Sequence, residues 1–353
     1  MAPSGKTVKV GIIAPFSGKD RARGDEGMKG IEAMMKLQPL LANGDRIELV
    51  TKDGKDDPQR AVSALQELVE GDKVAAVVAL SRSGSVLAMA SVADTHQTPV
   101  LAALATHTNI TEYNDWISQV CFDDSFQGSV AALFVRDELL LDTVAVFNDP
   151  ASNHSTDLSL AFGNKFIDLG GRVTDAVYLT DKTDDFAKIV KQVYASQPEL
   201  LYLPVDAEKV VRVLQETKRL GWHPKTMGSD GLLATVLTRY PDQVDLLEGT
   251  LATDFFHTTT RLTPFGQRAR AVLRGKATSF AALGVESFAI LIDAMNRCKT
   301  SDDRQCINDR IRSTRNFMGL MGNISIGADG KARRPLVVNT IHGGQMEFVV
   351  KVY

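Results

Sequence analysis

Short apolar runs typical of buried β-strands alternate with helical segments along almost the whole chain. The first four runs cover residues 8–14, 47–53, 74–80 and 99–103. The third run is continuously apolar, as is typical of a strand that is buried on both faces of a sheet. Regular alternation of this kind predicts a parallel sheet with helices on both faces and right-handed crossovers.

The alternation resumes after Asp123 and Asp124, and the chain ends in two β-like runs, 335–341 and 346–352. The segment 342–345 joins these two closing runs, and the glycines at its centre, Gly343 and Gly344, suit a tight hairpin turn. Because a chain of 353 residues is too long for a single ordinary hydrophobic core, we expect two α/β domains. No low-complexity linker interrupts the sequence, so we expect strand-like crossings between the domains.

Several helices are predicted from their apolar stripes and end signals. The clearest cover residues 25–37, 85–94, 126–140 and 280–297. A further helix is predicted to begin at Pro58 with Asp57 as its N-cap, because Asp is a good N-cap and Pro fits the first helical position.

Composition narrows the class of partner. The net charge is −3, and no stripe of Lys and Arg with interleaved aromatics occurs, so we expect no nucleic-acid binding. No apolar run reaches about eighteen residues, so we expect no membrane span. The first residues, Met1 to Lys6, lack the apolar core of a signal peptide, which fits a cytoplasmic protein or an exported one whose signal has been removed.

The three cysteines suggest one possible disulfide. Cys298 and Cys306 flank a polar segment between two helical patterns, and in an oxidising compartment a disulfide would close this loop; two unrelated thiols are the alternative. Cys121 stands in an apolar run, which favours a buried small side chain. The six histidines are scattered and no Cys/His spacing resembles a zinc site, so we expect neither a metal nor a cofactor.

Hydroxyl-rich loops follow two successive predicted strands. Ser83 lies in the segment 81–85, which leads directly into a helical segment, and Thr106 follows the next strand. Ligands bind at the carboxyl ends of parallel strands, and a helix start offers unpaired N–H groups and the positive end of its dipole. A small anion such as a carboxylate suits this place, although local capping by Ser83 and Thr106 explains the same residues equally well.

Two acids occupy similar edge positions in the second series. Asp230 follows a short predicted strand, and its carboxylate could accept charge-assisted hydrogen bonds from a ligand ammonium. With Gly231 behind it, Asp230 also fits a common turn. Asp206 follows the strand at 200–203 and also fits the N-cap of the next helix.

No enzyme motif is complete. Gly24, Gly27 and Gly30 lack the G-x-G-x-x-G spacing of a dinucleotide site, and no Walker A sequence occurs. Ser83 lacks the glycine two positions earlier that a nucleophile elbow needs. His107 could act as a base toward Ser83, but no carboxylate follows at a suitable place, so we expect no catalysis.

The order and spacing of several segments over nearly the full length resemble the leucine/isoleucine/valine-binding family, the type I periplasmic solute-binding proteins of ABC importers. The similar segments are an opening strand with a Ser-Gly turn at 9–18, an acidic loop at 53–58, a first domain crossing at 122–128, an acid-bearing loop at 228–231, and shorter matches at Leu158, Phe162 and 184–186.

This resemblance implies two Rossmann-like α/β lobes of mainly parallel sheet flanked by helices, joined by three hinge crossings, with the ligand in the cleft between them. It assigns 1–122 with 255–330 to one lobe and 123–254 with 331–353 to the other. It further implies a monomer in the periplasm, or anchored outside the cell by a lipid. Such a protein captures an amino acid or similar small polar nitrogen compound for an ABC transporter permease; a ligand-sensing domain of a receptor or regulator is the alternative.

The resemblance also implies roles for single residues. Ser83 corresponds to the hydroxyl that receives the ligand carboxylate, and Leu104 and Thr106 to a backbone carbonyl and a hydroxyl that hold the ligand ends. Asp230 corresponds to the acid that binds the amine, and Asp206 to a pocket residue of the second lobe.

Two positions that are often aromatic in the family's pocket carry Arg23 and His154 here. A cation near the pocket suggests a ligand with an extra acidic or carbonyl group, although Arg23 could also lie in solvent. Some relatives carry a disulfide between the acidic and the Ser-rich loop. Asp56 and Arg82 stand at those places, so we predict an ion pair there, worth about 0–1 kcal/mol if exposed.

Overall fold

The computed structural model describes residues 5–259, 261–275 and 277–352. The strands are β1 (Thr7–Ala14), β2 (Arg46–Asp53), β3 (Ala76–Ala79), β4 (Val100–Ala102), β5 (Ile117–Gln119), β6 (Thr143–Asn148), β7 (Arg172–Tyr178), β8 (Leu200–Leu203), β9 (Lys225–Gly228), β10 (Leu251–Asp254), β11 (Phe317–Met318), β12 (Asn323–Ile326), β13 (Ala332–Arg333), β14 (Leu336–His342) and β15 (Gln345–Val352). The helices are α1 (Arg21–Leu37), α2 (Pro58–Gln66), α3 (Ser83–Thr95), α4 (Asp124–Leu133), α5 (Asn153–Asp168), α6 (Phe186–Ser196), α7 (Ala207–Arg219), α8 (Leu232–Arg239), α9 (Pro264–Val272), α10 (Ser279–Asn296) and α11 (Arg304–Arg312).

The chain divides into two compact units. The first unit comprises Met1–Asp123 and Thr260–Pro335, and the second comprises Asp124–Thr259 and Leu336–Tyr353. The chain therefore passes between the units after residues 123, 259 and 335. The lobes that the resemblance implies change over after residues 122, 254 and 330.

The first unit contains a parallel sheet in the order β2-β1-β3-β4-β5. The chain runs outward from β1 to β2 and then returns to build the other side from β3 onward. Neighbouring strands in such an order leave a crevice between β1 and β3, at their carboxyl ends. A small antiparallel sheet, β11-β12-β13, completes the unit.

The second unit contains a seven-stranded sheet in the order β15-β14-β10-β9-β8-β6-β7. Its five strands from β6 to β10 are parallel and repeat the order of the first sheet, with β6 in the place of β1. The antiparallel hairpin β14-β15 is added at one edge, and its turn residues Gly343 and Gly344 have φ values of 56° and 74°. The predicted α/β class and the predicted hairpin are confirmed.

Element boundaries differ from the predictions at several helix ends. α1 begins at Arg21 rather than at 25, α3 at Ser83 rather than at 85, and α4 ends at Leu133, where a wider turn takes over from the helix predicted to reach 140. The predicted start of α2 is confirmed, because the Asp57 side chain accepts a hydrogen bond of 2.9 Å from the Arg60 N–H. β3 covers only the middle of the strand predicted at 74–80. The N–H groups of Ala75 and Leu80 still donate to β1 carbonyls, at 2.9 and 2.8 Å, and Val74 and Leu80 are fully buried.

Glycines let α1 and α10 touch backbone to backbone in the first unit. A Cβ atom on Gly30 would overlap the carbonyl oxygen of Ala281, and one on Gly284 would overlap the carbonyl oxygen of Gly27. The glycine spacing that fails as a dinucleotide motif therefore serves helix packing. Among the described residues α10 is the one helix long and apolar enough to cross a membrane, and 83% of it is buried inside the protein.

Cys298 and Cys306 form a disulfide that closes the loop between α10 and α11, as the sequence suggested. The intervening segment is thereby tied to the start of α11, whose N-cap residue Asp303 accepts a hydrogen bond of 3.0 Å from the Cys306 N–H. Cys121 is buried and is not part of a disulfide, as predicted.

Candidate functional site

The first unit places Ser83 and Thr106 together at the carboxyl edge of its sheet. Ser83 is the first residue of α3, directly after β3, and it is 5% exposed. Its Oγ accepts hydrogen bonds from the backbone N–H groups of Thr106, at 3.3 Å, and His107, at 3.2 Å. The loop after β4 is thus held against the start of α3, and the Ser83 hydroxyl hydrogen remains to be donated to an acceptor.

Two further hydroxyls beside Ser83 are buried without a hydrogen-bond partner in the described part of the chain. They belong to Ser81 and Ser85, which are 0% and 2% exposed. Buried polar groups in native proteins almost always have hydrogen-bond partners, so buried hydroxyls without one at a helix start are candidate contacts for a polar ligand. Leu104, in the neighbouring loop, is buried at 9% exposure.

The loop that carries Thr106 is held by residues that the sequence did not identify. The Gln119 amide donates hydrogen bonds to the carbonyl oxygens of Ala105, at 3.0 Å, and His107, at 3.2 Å. The Cys121 thiol lies 3.0 Å from the same Ala105 oxygen. The one signal available in the sequence is an amide side chain within the largely apolar run 117–122.

Arg23 and Arg82 share two buried carboxylates, those of Asp20 and Asp56. Arg23 Nη1 lies 3.0 Å from Asp56 Oδ2, and its Nη2 pairs with Asp20. Arg82 Nη2 lies 3.1 Å from Asp20 Oδ1, and Arg82 Nε lies 3.5 Å from Asp56 Oδ2. The predicted Asp56–Arg82 pair is therefore confirmed, and the charge of Arg23 is compensated by carboxylates of its own unit.

This four-residue network shifts the titration of one member. Burial raises the pKa of Asp20, but the nearby guanidinium groups of Arg23 and Arg82 outweigh it, so the pKa lies below its ordinary value. Asp20 therefore stays ionised under neutral conditions and keeps both arginines in place.

The second unit repeats this arrangement with different chemistry. His154 is the second residue of α5, which follows β6, and so takes the place that Arg23 takes on α1 after β1. Asp206 follows β8 as Arg82 follows β3, and Asp230 follows β9 as Thr106 follows β4. The corresponding edge of the second sheet therefore carries carboxylates and an imidazole.

His154 and Asp230 are brought together with a residue that the sequence missed, Asp124. His154 Nδ1 lies 2.9 Å from Asp124 Oδ1, and its Nε2 lies 3.1 Å from Ser229 Oγ and 3.6 Å from Asp230 Oδ1. The side chain of Asp124 is fully buried, that of Asp230 is 11% exposed and that of His154 is 28% exposed. Asp124 was overlooked because the predicted helix began two residues later.

Asp230 Oδ1 and the hydroxyl of Tyr202 are buried at this edge and have no hydrogen-bond partner among the described residues. Burial, with the charges of Asp124 and Asp230 added to it, raises the pKa of the Tyr202 phenol well above its ordinary value. Tyr202 therefore remains a neutral donor, stacked on Phe162 with ring centres 3.9 Å apart. It sits in an apolar strand, where nothing in the sequence separates it from the core.

Asp206 is exposed and lies at the N-cap position of α7, but its side chain accepts no capping hydrogen bond from the helix. The predicted N-cap position of Asp206 is therefore confirmed, whereas the side-chain capping hydrogen bond is not formed. The Asp230 turn has the predicted form, because Gly231 takes a φ of 73° and serves as the N-cap of α8. In the described part of the chain, no cluster of three or more His, Cys, Asp or Glu side chains could hold a metal ion.

Comparisons with known proteins agree on one family. The sequence profile of the periplasmic binding protein family matches residues 7–345. An amino acid binding protein of Pseudomonas aeruginosa is 28% identical over 270 residues, 74% of this chain and 70% of that protein. A Leu/Ile/Val-binding protein homolog of Brucella suis is 26% identical over 56% of this chain, a stretch that spans about half (51%) of that protein.

Solved structures give a fuller overlap. The leucine-binding protein LivK of Thermotoga maritima superposes with a TM-score of 0.90 and 28% identity, and the match covers 98% of both chains.

Proposed function

This chain belongs to the periplasmic binding protein family, in its leucine/isoleucine/valine-binding group, and we propose that it captures an amino acid or similar small polar nitrogen compound. Members of this family are solute-binding proteins. In our proposal the protein binds its ligand in the periplasm or at the outer face of the cell, acts as a monomer without catalysis, and hands the ligand to an ABC transporter permease.

The first unit provides the carboxylate end of the proposed site. Ser83 and Thr106 offer hydroxyls there, and the start of α3 offers backbone N–H groups and the positive end of its dipole. Leu104 provides a backbone carbonyl in the same loop. Donors of this kind suit an anion, and the buried hydroxyls of Ser81 and Ser85 add to their number.

The second unit provides the ammonium end. The observation that carries the proposal is that the buried Oδ1 of Asp230 has no hydrogen-bond partner among the described residues, with His154 Nε2 3.6 Å away. A buried carboxylate oxygen that accepts no hydrogen bond is costly in a folded protein, and a ligand ammonium would satisfy it with a charge-assisted hydrogen bond. Asp206 adds negative charge at the same sheet edge.

Hinge closure is part of the proposal, because the groups for the ligand carboxylate lie in one unit and those for its ammonium in the other. Each unit offers half of a site for a zwitterion, so a ligand that contacts both halves has a higher affinity for a closed state than for an open one. The ligand then shifts the population toward closure by that difference in affinity.

The proposal is tested by calorimetric titration of the twenty L-amino acids into the wild type and the Asp230→Asn variant. Loss of a charged hydrogen-bond partner is worth about 1.5–3 kcal/mol, so the tightest-binding amino acid should lose about tenfold to hundredfold in affinity. The matched control is Asp242→Asn, at an exposed position of the same unit. Undiminished binding by Asp230→Asn would contradict the role of Asp230, and absence of binding by every amino acid would contradict the proposed ligand class.

A further inference from the structure

The imidazole of His154 lies between two carboxylates of the second unit. One ring nitrogen faces the fully buried Asp124 at 2.9 Å, and the other faces Ser229 at 3.1 Å and Asp230 at 3.6 Å. The acid that the proposed function assigns to a ligand ammonium thus already has a second candidate cation within its own unit.

The two ring nitrogens have different tasks. An ionised carboxylate only accepts hydrogen bonds, so Nδ1–H donates to Asp124 and fixes the orientation of the ring. The protonation state therefore changes at Nε2. Without a proton, Nε2 accepts from the Ser229 hydroxyl; with a proton, it donates toward Ser229 and Asp230 and adds a positive charge beside the carboxylate.

We propose that His154 is a specificity-determining residue that competes with a ligand ammonium for Asp230 when its imidazole is protonated. The inference rests on the proposed function, since it presupposes an ammonium at Asp230. A neutral His154 leaves Asp230 as a full negative charge for the ligand. A protonated His154 neutralises Asp230 and repels a second cation, so the same site then prefers an acid that has no amine.

Charged and titratable groups from each neighbouring element act on His154. Asp124 at the start of α4 and Asp230 after β9 favour the imidazolium. The phenol of Tyr202 on β8 is neutral, and Asp157 lies one turn further along the helix of His154 itself. The N-terminal end of α5 opposes the imidazolium through its dipole. Among side chains, histidine is the one whose ordinary pKa lies closest to neutral pH.

The experiment compares the wild type with His154→Gln, which keeps hydrogen-bonding groups but cannot become a cation. L-leucine and 4-methylpentanoate, the same carbon skeleton without its amine, are titrated calorimetrically together with the other nineteen L-amino acids at about pH 8 and about pH 5.5. On going to the lower pH, the affinity of the wild type for its tightest-binding amino acid should fall about tenfold. The affinity of His154→Gln for the same amino acid should fall less than twofold. The affinity of 4-methylpentanoate for the wild type should not fall with pH.

His223→Gln is the matched control, because His223 is an exposed histidine of the same unit. Thermal unfolding without ligand establishes that each variant is folded, and His154→Asn provides a second neutral replacement if the glutamine does not fit. An equal pH response in the wild type and the neutral variants would overturn the inference while leaving the proposed function intact. No binding of any amino acid at either pH would overturn the proposed function, and this inference with it.

Discussion

The carboxylate of Asp56 accepts a hydrogen bond of 2.7 Å from the backbone N–H of Arg82. Arg82 is the N-cap residue of α3, so this bond fixes the start of the helix whose first residue is Ser83. Lys55 and Asp56 both have left-handed φ values, 51° and 55°, a conformation that costs about 1–3 kcal/mol at a non-glycine residue and persists where the surroundings hold it. The strained acidic loop therefore holds the start of α3, and with it the proposed carboxylate site, in position.

Asp56→Ala is expected to weaken ligand binding as well as stability. The change removes the acceptor of the Arg82 N–H and one partner of both arginines, so the start of α3 loses its fixed position. We expect about a tenfold loss of affinity for the tightest-binding amino acid, measured by calorimetry, and a lower melting temperature, in keeping with about 1–3 kcal/mol for an unpaired buried polar group.

Asp57→Ala is the matched control for this prediction, because Asp57 lies in the same loop and its carboxylate caps α2, accepting a hydrogen bond from the Arg60 N–H. It should lower the melting temperature through the lost cap, about 1 kcal/mol, and leave affinity unchanged. If Asp56→Ala altered neither affinity nor melting temperature, the positioning role of Asp56 would be abandoned.

The sheets were predictable because burial on both faces leaves a direct mark on the sequence. The continuous apolar run around β3 and the exact bounds of β8 illustrate this. β5 was missed because it has three residues, of which Ser118 and Gln119 are polar and yet buried. Strands this short are set by their neighbours in the sheet rather than by a pattern of their own.

The candidate site was predictable only where a polar residue follows a strand. Ser83, Thr106 and Asp230 have that position, whereas Tyr202 lies within a strand and resembles ordinary core. The network of Arg23 with Asp20 and Asp56 joins residues up to 36 positions apart, and no local pattern indicates which arginine meets which acid. Side-chain partners of this kind are decided by the fold.

Gly284→Ala is expected to destabilise the first unit. The added Cβ would overlap the carbonyl oxygen of Gly27, so α10 would have to move away from α1. Overpacking of this kind costs about 1–3 kcal/mol, which thermal unfolding will show as a lower melting temperature. Gly163→Ala on α5 is the matched control, since a Cβ there meets nothing within 4 Å, and it should stabilise by about 0.4–1 kcal/mol. A melting temperature of Gly284→Ala equal to that of Gly163→Ala would refute the packing role.

His257 is expected to make the stability of the protein depend on pH. It is 3% exposed, its Nε2–H donates to the Met346 carbonyl at 3.1 Å, and its Nδ1 accepts from the Thr259 N–H at 3.1 Å. Burial lowers the pKa of His257 below its ordinary value, although the Met346 carbonyl opposes the shift.

Because the folded pKa of His257 is the lower one, the unfolded chain takes up the proton first as the pH falls. Stability from this group is complete above the ordinary value of 6.5 and declines below it, until the folded pKa is passed, by at most about 1.4 kcal/mol per pH unit. Melting temperatures measured between about pH 8 and about pH 5 should fall less steeply for His257→Gln than for the wild type, whatever its stability at pH 8. The exposed His223→Gln should keep the wild-type slope, and an unchanged slope in His257→Gln would show that another group governs the acid sensitivity of the fold.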